Sequence, residues 1–176
     1  LYAAYGNGCR VTDVEGVERI DFVTNWSSLI HGHGNPQVLA AIAEQVEQAM
    51  TALIGKNLLI INHKPLWLEV EIKTDILFPS GSAEIEPGAV VILERIAAIL
   101  APLPSPIRVE GHTDNRPINT LQFPSNWELS GARASRIVRL FESRGVAPAR
   151  LSVAGLGEHR PVTDNTTVEG RNRNRR

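Results

Sequence analysis

One cysteine, Cys9, stands in 176 residues, so no intrachain disulfide is available and neither redox compartment is excluded. Long apolar runs are missing, and the longest falls short of the roughly 20 residues that a bilayer-spanning helix needs. The start carries no Lys/Arg-led apolar segment of the secretory kind. It begins at Leu1 rather than Met, the expectation being a piece of a longer protein. Charge of one sign is not in excess: 18 basic and 19 acidic residues give a net −1, which does not steer the whole chain to nucleic acid or an anionic membrane. There is no internal repeat and no low-complexity tract. The five histidines (His31, His33, His63, His112 and His159) lack acidic or cysteine partners at ligand spacing, so no metal and no cofactor is expected. No Ser/His/Asp or Cys/His arrangement suggests a nucleophile. The basic end, R-N-R-N-R-R, is short and has no interleaved aromatics, which argues against a nucleic-acid patch. What remains is a globular composition, 43% hydrophobic and 21% charged, long enough for one domain and an appendage.

The pattern changes along the chain. Tyr2 to Val11 and Val17 to Val23 have the character of short strands joined by the turn cluster Asp13-Val14-Glu15-Gly16. A polar, glycine-rich loop follows over 25–36. Helical spacing of Val38, Ile42, Val46 and Ala49 predicts a helix from Pro36 to about Met50. Residues 51–64 are apolar without a clear period and fit a strand, a helix end or a joint. From Pro65, Leu66, Leu68, Val70 and Ile72 alternate with polar positions as in a half-buried strand. Pro87 suits a first helical residue, and Ala89, Val90, Leu93, Ile96, Ala97 and Leu100 line one face until the proline-rich run 102–106. Ile107 to Gly111 is a second strand. Ser125-Asn126-Trp127-Glu128 is a capping box opening a helix that Gly145 ends, and Leu151 to Ala154 is a third strand. Strands alternating with helices predict an α/β sandwich.

Between the second strand and that helix lies the stretch Val109 to Arg136. It sets an acid, Asp114, on a loop and a cation, Arg133, about two turns into the helix. Such a pair can grip a small zwitterion, carboxylate against ammonium and guanidinium against carboxylate. It can equally be a structural salt bridge holding loop to helix. Asn126 precedes Arg133 by seven positions and shares its helix face near the N-terminus, a place that favours an anionic group. Asp114 with Glu128 does not have the spacing of paired carboxylates across a scissile bond.

Six blocks in residues 65–176 resemble the OmpA-like peptidoglycan-binding domain, and most closely its version in MotB-type flagellar stator proteins. They are P-L-W-L-E-V-E-I (65–72), L-F-P-S-G-S-A (77–83), G-H-T-D-N-x-P-I (111–118), F-P-S-N-W-E-L-S-x-A-R-A (123–134), G-L-G-E-x-R-P (155–161) and N-R-R (174–176). The resemblance implies a βαβαβ sandwich with helices on a mixed sheet, preceded by a short hairpin and helix. It also implies non-catalytic binding to the diaminopimelate of the stem peptide in the periplasm, through Asp114 and Arg133, with Asn126 and Arg175 nearby. A homodimer and an inner-membrane-anchored parent are further implications, as is a His112 that shapes the loop. The family usually continues past N-R-R into a final apolar strand, so a truncated last strand is expected. Its stator members carry a proton-conducting membrane helix that these residues do not include.

A second resemblance lies in front. G-C-R-V-T-D-V-E-G-V-E-R-I-D-F (8–22) and N-W-S-S-L-I-H-G-H-G-N-P (25–36) are similar to the N-terminal segment of class III pyridoxal-phosphate aminotransferases of the glutamate-semialdehyde aminomutase type. That chemistry needs a Schiff-base lysine, an acid at the pyridine nitrogen and a phosphate cradle, which the family carries far downstream. The expectation is an inactive aminotransferase-like fragment over 1–50, a joint over 51–64 and a binding domain over 65–176, in a chain of chimeric appearance.

Overall fold

The structure, a computed structural model, describes residues 3–7, 10–13, 17–20, 36–54, 59–64 and 67–176. The expected turn at 14–16, the glycine-rich loop with His31 and His33, Cys9 and the pair Pro65-Leu66 lie outside the described residues. The chain divides into two compact units, Leu1–Thr51 with Ile60–Val70, and Ala52–Leu59 with Glu71–Arg176. Among the described residues no helix is long and apolar enough to cross a membrane.

The first unit begins with three antiparallel strands, β1 (Ala3–Asn7), β2 (Arg10–Asp13) and β3 (Glu18–Ile20). One strand was expected over Tyr2–Val11. Its place is taken by two, because the ladder pairs Asn7 with Arg10 and reverses the chain between them, giving a three-stranded meander rather than a hairpin. Helix α1 runs Pro36–Ile54, four residues beyond the expected end, with Ile42, Ala43 and Val46 buried. The undecided stretch after it supplies a helix end and then β4 (Leu59–His63), which pairs with β5 (Leu68–Ile72).

The second unit holds a one-turn helix α2 (Thr74–Leu77), α3 (Pro87–Leu100), β6 (Ile107–His112), α4 (Asn126–Ser143), β7 (Leu151–Gly157) and α5 (Val168–Asn174). Pro87 starts α3 as expected, where its missing N–H costs nothing. Ala89, Leu93, Ile96 and Ala97 turn inward, each large apolar side chain contributing about 1.5–3 kcal/mol by leaving water. At the far end Arg150 donates to the carbonyls of Leu100, Ala101 and Ser105 at 2.9, 3.2 and 2.8 Å. These carbonyls lie at the helix end and its proline-rich exit, where that of Leu100 also accepts an amide, from Leu103 at 3.2 Å, and a cation there suits the helix dipole.

β6 and β7 run parallel, in register from Ile107↔Leu151 to Gly111↔Gly155, with a slip that sets His112 opposite Gly157. A parallel pair requires a crossover, and α4 supplies it. The helix lies on the strands at backbone distance. A Cβ on Gly111 would fall 2.3 Å from the Ser130 carbonyl oxygen, and one on Gly155 would fall 2.6 Å from the Gly131 nitrogen. The chain end is bound in as well: Thr74 N–H donates to the Arg175 carbonyl at 3.2 Å, and His112 N–H to that of Arg176 at 2.9 Å.

The capping box at the start of α4 differs in detail from the sequence expectation. The Ser125 hydroxyl oxygen accepts from the amide of Trp127, two residues on rather than three, at 3.2 Å. Its proton goes to the Glu128 carboxylate at 2.5 Å, and that bond holds the carboxyl below its usual range. The hydroxyl mediates between acid and helix end, so the carboxylate engages the side chain of the cap.

Gly111→Ala is expected to lower unfolding free energy by about 1–3 kcal/mol through overpacking against Ser130. Urea unfolding checks it; an unchanged midpoint would mean that α4 can lift off the strand freely.

Candidate functional site

Asp114 follows β6 at the start of the loop that leads to α4. The loop is pinned at its base, where Thr113 N–H donates to the Gly157 carbonyl at 2.9 Å. Asp114 closes an Asx-type turn on itself, Oδ1 accepting from the amide of Arg116 at 3.0 Å. Further along, Thr120 and Phe123 exchange bonds: the Phe123 amide donates to Thr120 Oγ1 at 2.9 Å and the Thr120 amide to the Phe123 carbonyl at 3.0 Å. The Phe123 ring packs with Ala83 and Leu129. The loop is therefore anchored at both ends before any ligand is considered.

Asn126, the first residue of α4, is buried and serves as a tie. Its Nδ2 donates to the carbonyl oxygens of Asp114 (3.4 Å) and Arg116 (3.0 Å) and to the Glu158 carboxylate (2.7 Å). It fixes the acid's loop to the segment after β7.

Arg133 stands two turns further along α4 and is 5% exposed. Its Nε donates to the Ser82 carbonyl at 2.8 Å and its Nη2 to that of Pro79 at 3.0 Å, while the guanidinium lies over the Phe78 ring at 5.2 Å. Neutral carbonyls orient the fork but do not neutralise it, and Nη1 donates to no acceptor among the described residues. Burial pulls the guanidinium down to about 10; the nearby charges of Asp75 and Asp114 resist this, while Arg175 adds to it.

Arg175 takes the acid. Its Nη1 donates to Asp114 Oδ2 at 2.6 Å, and its Nε and Nη2 grip both oxygens of Asp75 at 2.9 Å each. These bonds, above all those of Asp75, raise its basicity further. A direct Asp114–Arg133 salt bridge, the plain structural alternative, is not what the two residues form: the partner of Asp114 is Arg175. Two acids and two arginines thus gather around one place, and the four charges sum to zero. Asp75 was not singled out from the sequence; its only signal there is an acid between the β5 strand and the L-F-P-S-G-S-A block.

His112 sits at the base of the loop with its ring buried and Nε2 3.4 Å from Glu110. Burial chiefly, and then the positive charge of Arg176, lower its pKa, with Arg160 acting the same way and Glu110 opposing.

Comparison with known proteins bears on this geometry. The model of the OmpA family matches residues 77–175, more than half of the chain, and the class-III aminotransferase model matches residues 1–82. Motility protein B of Bacillus subtilis is 40% identical over 111 residues, covering 62% of this chain and 42% of the relative. The peptidoglycan-binding protein ArfA of Mycobacterium tuberculosis is 34% identical over 102 residues, 57% of this chain and 30% of that protein. The chain therefore spans less than half the length of these relatives. Among solved structures, the cell wall anchor of the T6SS from Pseudomonas aeruginosa superimposes with a TM-score of 0.70 at 35% identity, covering 74% of this chain and 91% of that one.

Two outcomes are expected from the charge arrangement. In double-mutant cycles, Arg175 should couple to Asp114, whose side chain is 8% exposed, by about 1–3 kcal/mol, and to Asp75, which is 53% exposed, by less than about 1 kcal/mol. Equal couplings in urea unfolding would show that bidentate geometry outweighs burial. For His112, the unfolded chain takes up a proton below about pH 6.5 while the folded chain resists. Stability should then fall as pH drops through that value towards the lower folded pKa, by at most about 1.4 kcal/mol per pH unit. His112→Asn should flatten that slope, and an unaltered slope would assign it elsewhere.

Proposed function

The chain belongs to the OmpA family, and from that premise we propose that it binds peptidoglycan without cutting it, gripping the diaminopimelate of the stem peptide between Asp114 and Arg133. The observation that carries this reading is Arg133. A buried guanidinium held by two carbonyls and a ring face, with no carboxylate bound to it, is oriented for an acid that comes from outside. A carboxylate entering there offsets the desolvation that has lowered its pKa to about 10, and the planar fork suits it.

Diaminopimelate carries an ammonium and a carboxylate on one carbon at the end of its side chain. Asp114 keeps acceptor capacity for the ammonium, because each carboxylate oxygen has two lone pairs and holds one bond here. Arg175 and Asp75 leave the surroundings neutral overall, which favours a zwitterion over a bare cation or anion. Asn126 holds the loop that presents the acid. Relatives named as a motility protein, a peptidoglycan-binding protein and a cell wall anchor support the same reading.

On this reading the domain works in the periplasm and anchors a stator-like protein to the cell wall, with a homodimer and a membrane-anchored parent as parts of the same proposal. For the front of the chain, the class-III aminotransferase match supports a joined segment of separate ancestry, and an aminotransferase-like fragment without activity is part of the same proposal.

Retention of the purified chain on diaminopimelate-containing sacculi tests the assignment. Asp114→Ala and Arg133→Ala should each weaken binding about 10- to 100-fold, as loss of a charge-assisted contact of about 1.5–3 kcal/mol implies. Sacculi with lysine in place of diaminopimelate, which lack the second carboxylate, should bind as weakly as Arg133→Ala. Undiminished retention by both variants would sink the proposal.

A further inference from the structure

We propose that Trp127 and His159 form a platform for a pyranose ring of the glycan strand, beside the stem-peptide grip and as a second subsite of the same ligand. The inference rests on the peptidoglycan reading above, and its own evidence is separate from the charges that carry that reading.

One step along α4 rotates the side chain by about 100°. Asn126 accordingly points inward and is buried, whereas Trp127 points out and is 49% exposed. The indole is not loose on the surface. It stacks on His159 with ring centroids 4.7 Å apart and planes inclined by 23°. The two rings come from different elements, one from the first turn of α4 and the other from the segment leaving β7.

Gly157 makes the meeting possible. Its φ of 53° lies in the left-handed region, where the chain turns out of β7, and the position its Cβ would take is 3.6 Å from Trp127 Cδ2 and from His159 Cδ2. The turn is then closed by His159 N–H donating to the Leu156 carbonyl at 3.3 Å. A side chain at residue 157 would be strained by that positive φ, although its Cβ would meet the two rings only at ordinary contact distance.

The platform and the grip share one framework. Gly157, beneath the rings, receives the Thr113 amide; Glu158, between Gly157 and His159, receives Asn126 Nδ2; and Asn126 also holds the Asp114 carbonyl. Nothing in this path is a flexible link, so the rings stand at a fixed place relative to Asp114.

The chemistry of the surface selects its occupant. A half-exposed aromatic face leaves apolar area in water and gains from a flat apolar partner. The C–H face of a pyranose is such a partner, and the exposed His159 ring offers its nitrogens to the sugar's hydroxyl and N-acetyl groups. Stacking of nucleic-acid bases is disfavoured by the net charge of −1. The covalent structure of the ligand sets the reach: the diaminopimelate side chain, two stem residues and the lactyl group separate the gripped end from the sugar, a span on the order of 20 Å when extended.

Three probes with the full chain test this by calorimetry: the stem peptide without sugar, the disaccharide–peptide, and an N-acetylglucosamine oligomer. The wild-type chain should bind the disaccharide–peptide about tenfold more tightly than the peptide. Trp127→Ala should erase that difference and leave peptide affinity unchanged, with Trp127→Phe retaining part of it and circular dichroism confirming the fold. Equal affinity of the wild-type chain for both ligands, or a preference that survives Trp127→Ala, overturns the platform and leaves the grip standing. Oligomer binding that depends on Trp127, with no binding of the peptide, would uphold the platform and remove the diaminopimelate reading. Absence of binding to all three would remove both.

Discussion

The backbone contact of α4 with the β6–β7 pair sets everything else in the second unit. Gly111 and Gly155 leave no room for a Cβ between strand and helix, so the helix axis cannot shift outward without opening a void. With that axis fixed, the first turn delivers Asn126 inward and Trp127 outward, and the third delivers Arg133 beneath the 78–83 loop. Ser130, fully buried between them, accepts the Gly157 amide at 3.0 Å and donates to the Trp127 carbonyl at 3.0 Å, locking strand end to helix start. Placement of the site is thus a packing result before it is an electrostatic one.

Its electrostatics follow a division of labour. Arg175 is fully compensated by acids and gains basicity, whereas Arg133 is oriented by neutral groups and loses it. Two arginines a short distance apart therefore have different uses, one neutralising Asp75 and Asp114 and the other keeping its charge unspent. A buried charge without a counter-ion is costly to a fold, and such costs concentrate where a ligand is received.

Much of this architecture was legible in the chain, for reasons that differ by residue. Pro87 and the Ser125–Glu128 box announce helix starts through local chemistry that needs no tertiary context, and both helices begin there. The α3 face is written in its period, and Ala89, Leu93, Ile96 and Ala97 are buried accordingly. The antiparallel pairing of Asn7 with Arg10 was not legible, because 2–11 has the character of a single strand throughout. Residues 51–64 could not be divided, since an apolar run without a period fits a helix end as well as a strand. In the site, Asp114 and Arg133 stood out as charge types, but their partners did not. Arg133 is held by backbone carbonyls of Pro79 and Ser82, which no side-chain pattern encodes, and Asp75 meets Arg175 only through the tertiary fold.

Asp75 and Arg175 are 100 positions apart in the chain, and Asp114 and Arg175 are 61. Closing loops of that length costs more chain entropy than forming the local contacts within α3 and α4. The charge cluster requires that the helices and strands carrying its members be in place. A chain caught partway through folding would hold Asp114 and Arg133 without the clamp that sets their charge balance. Any property that depends on that balance belongs to the completed domain and not to its separate elements.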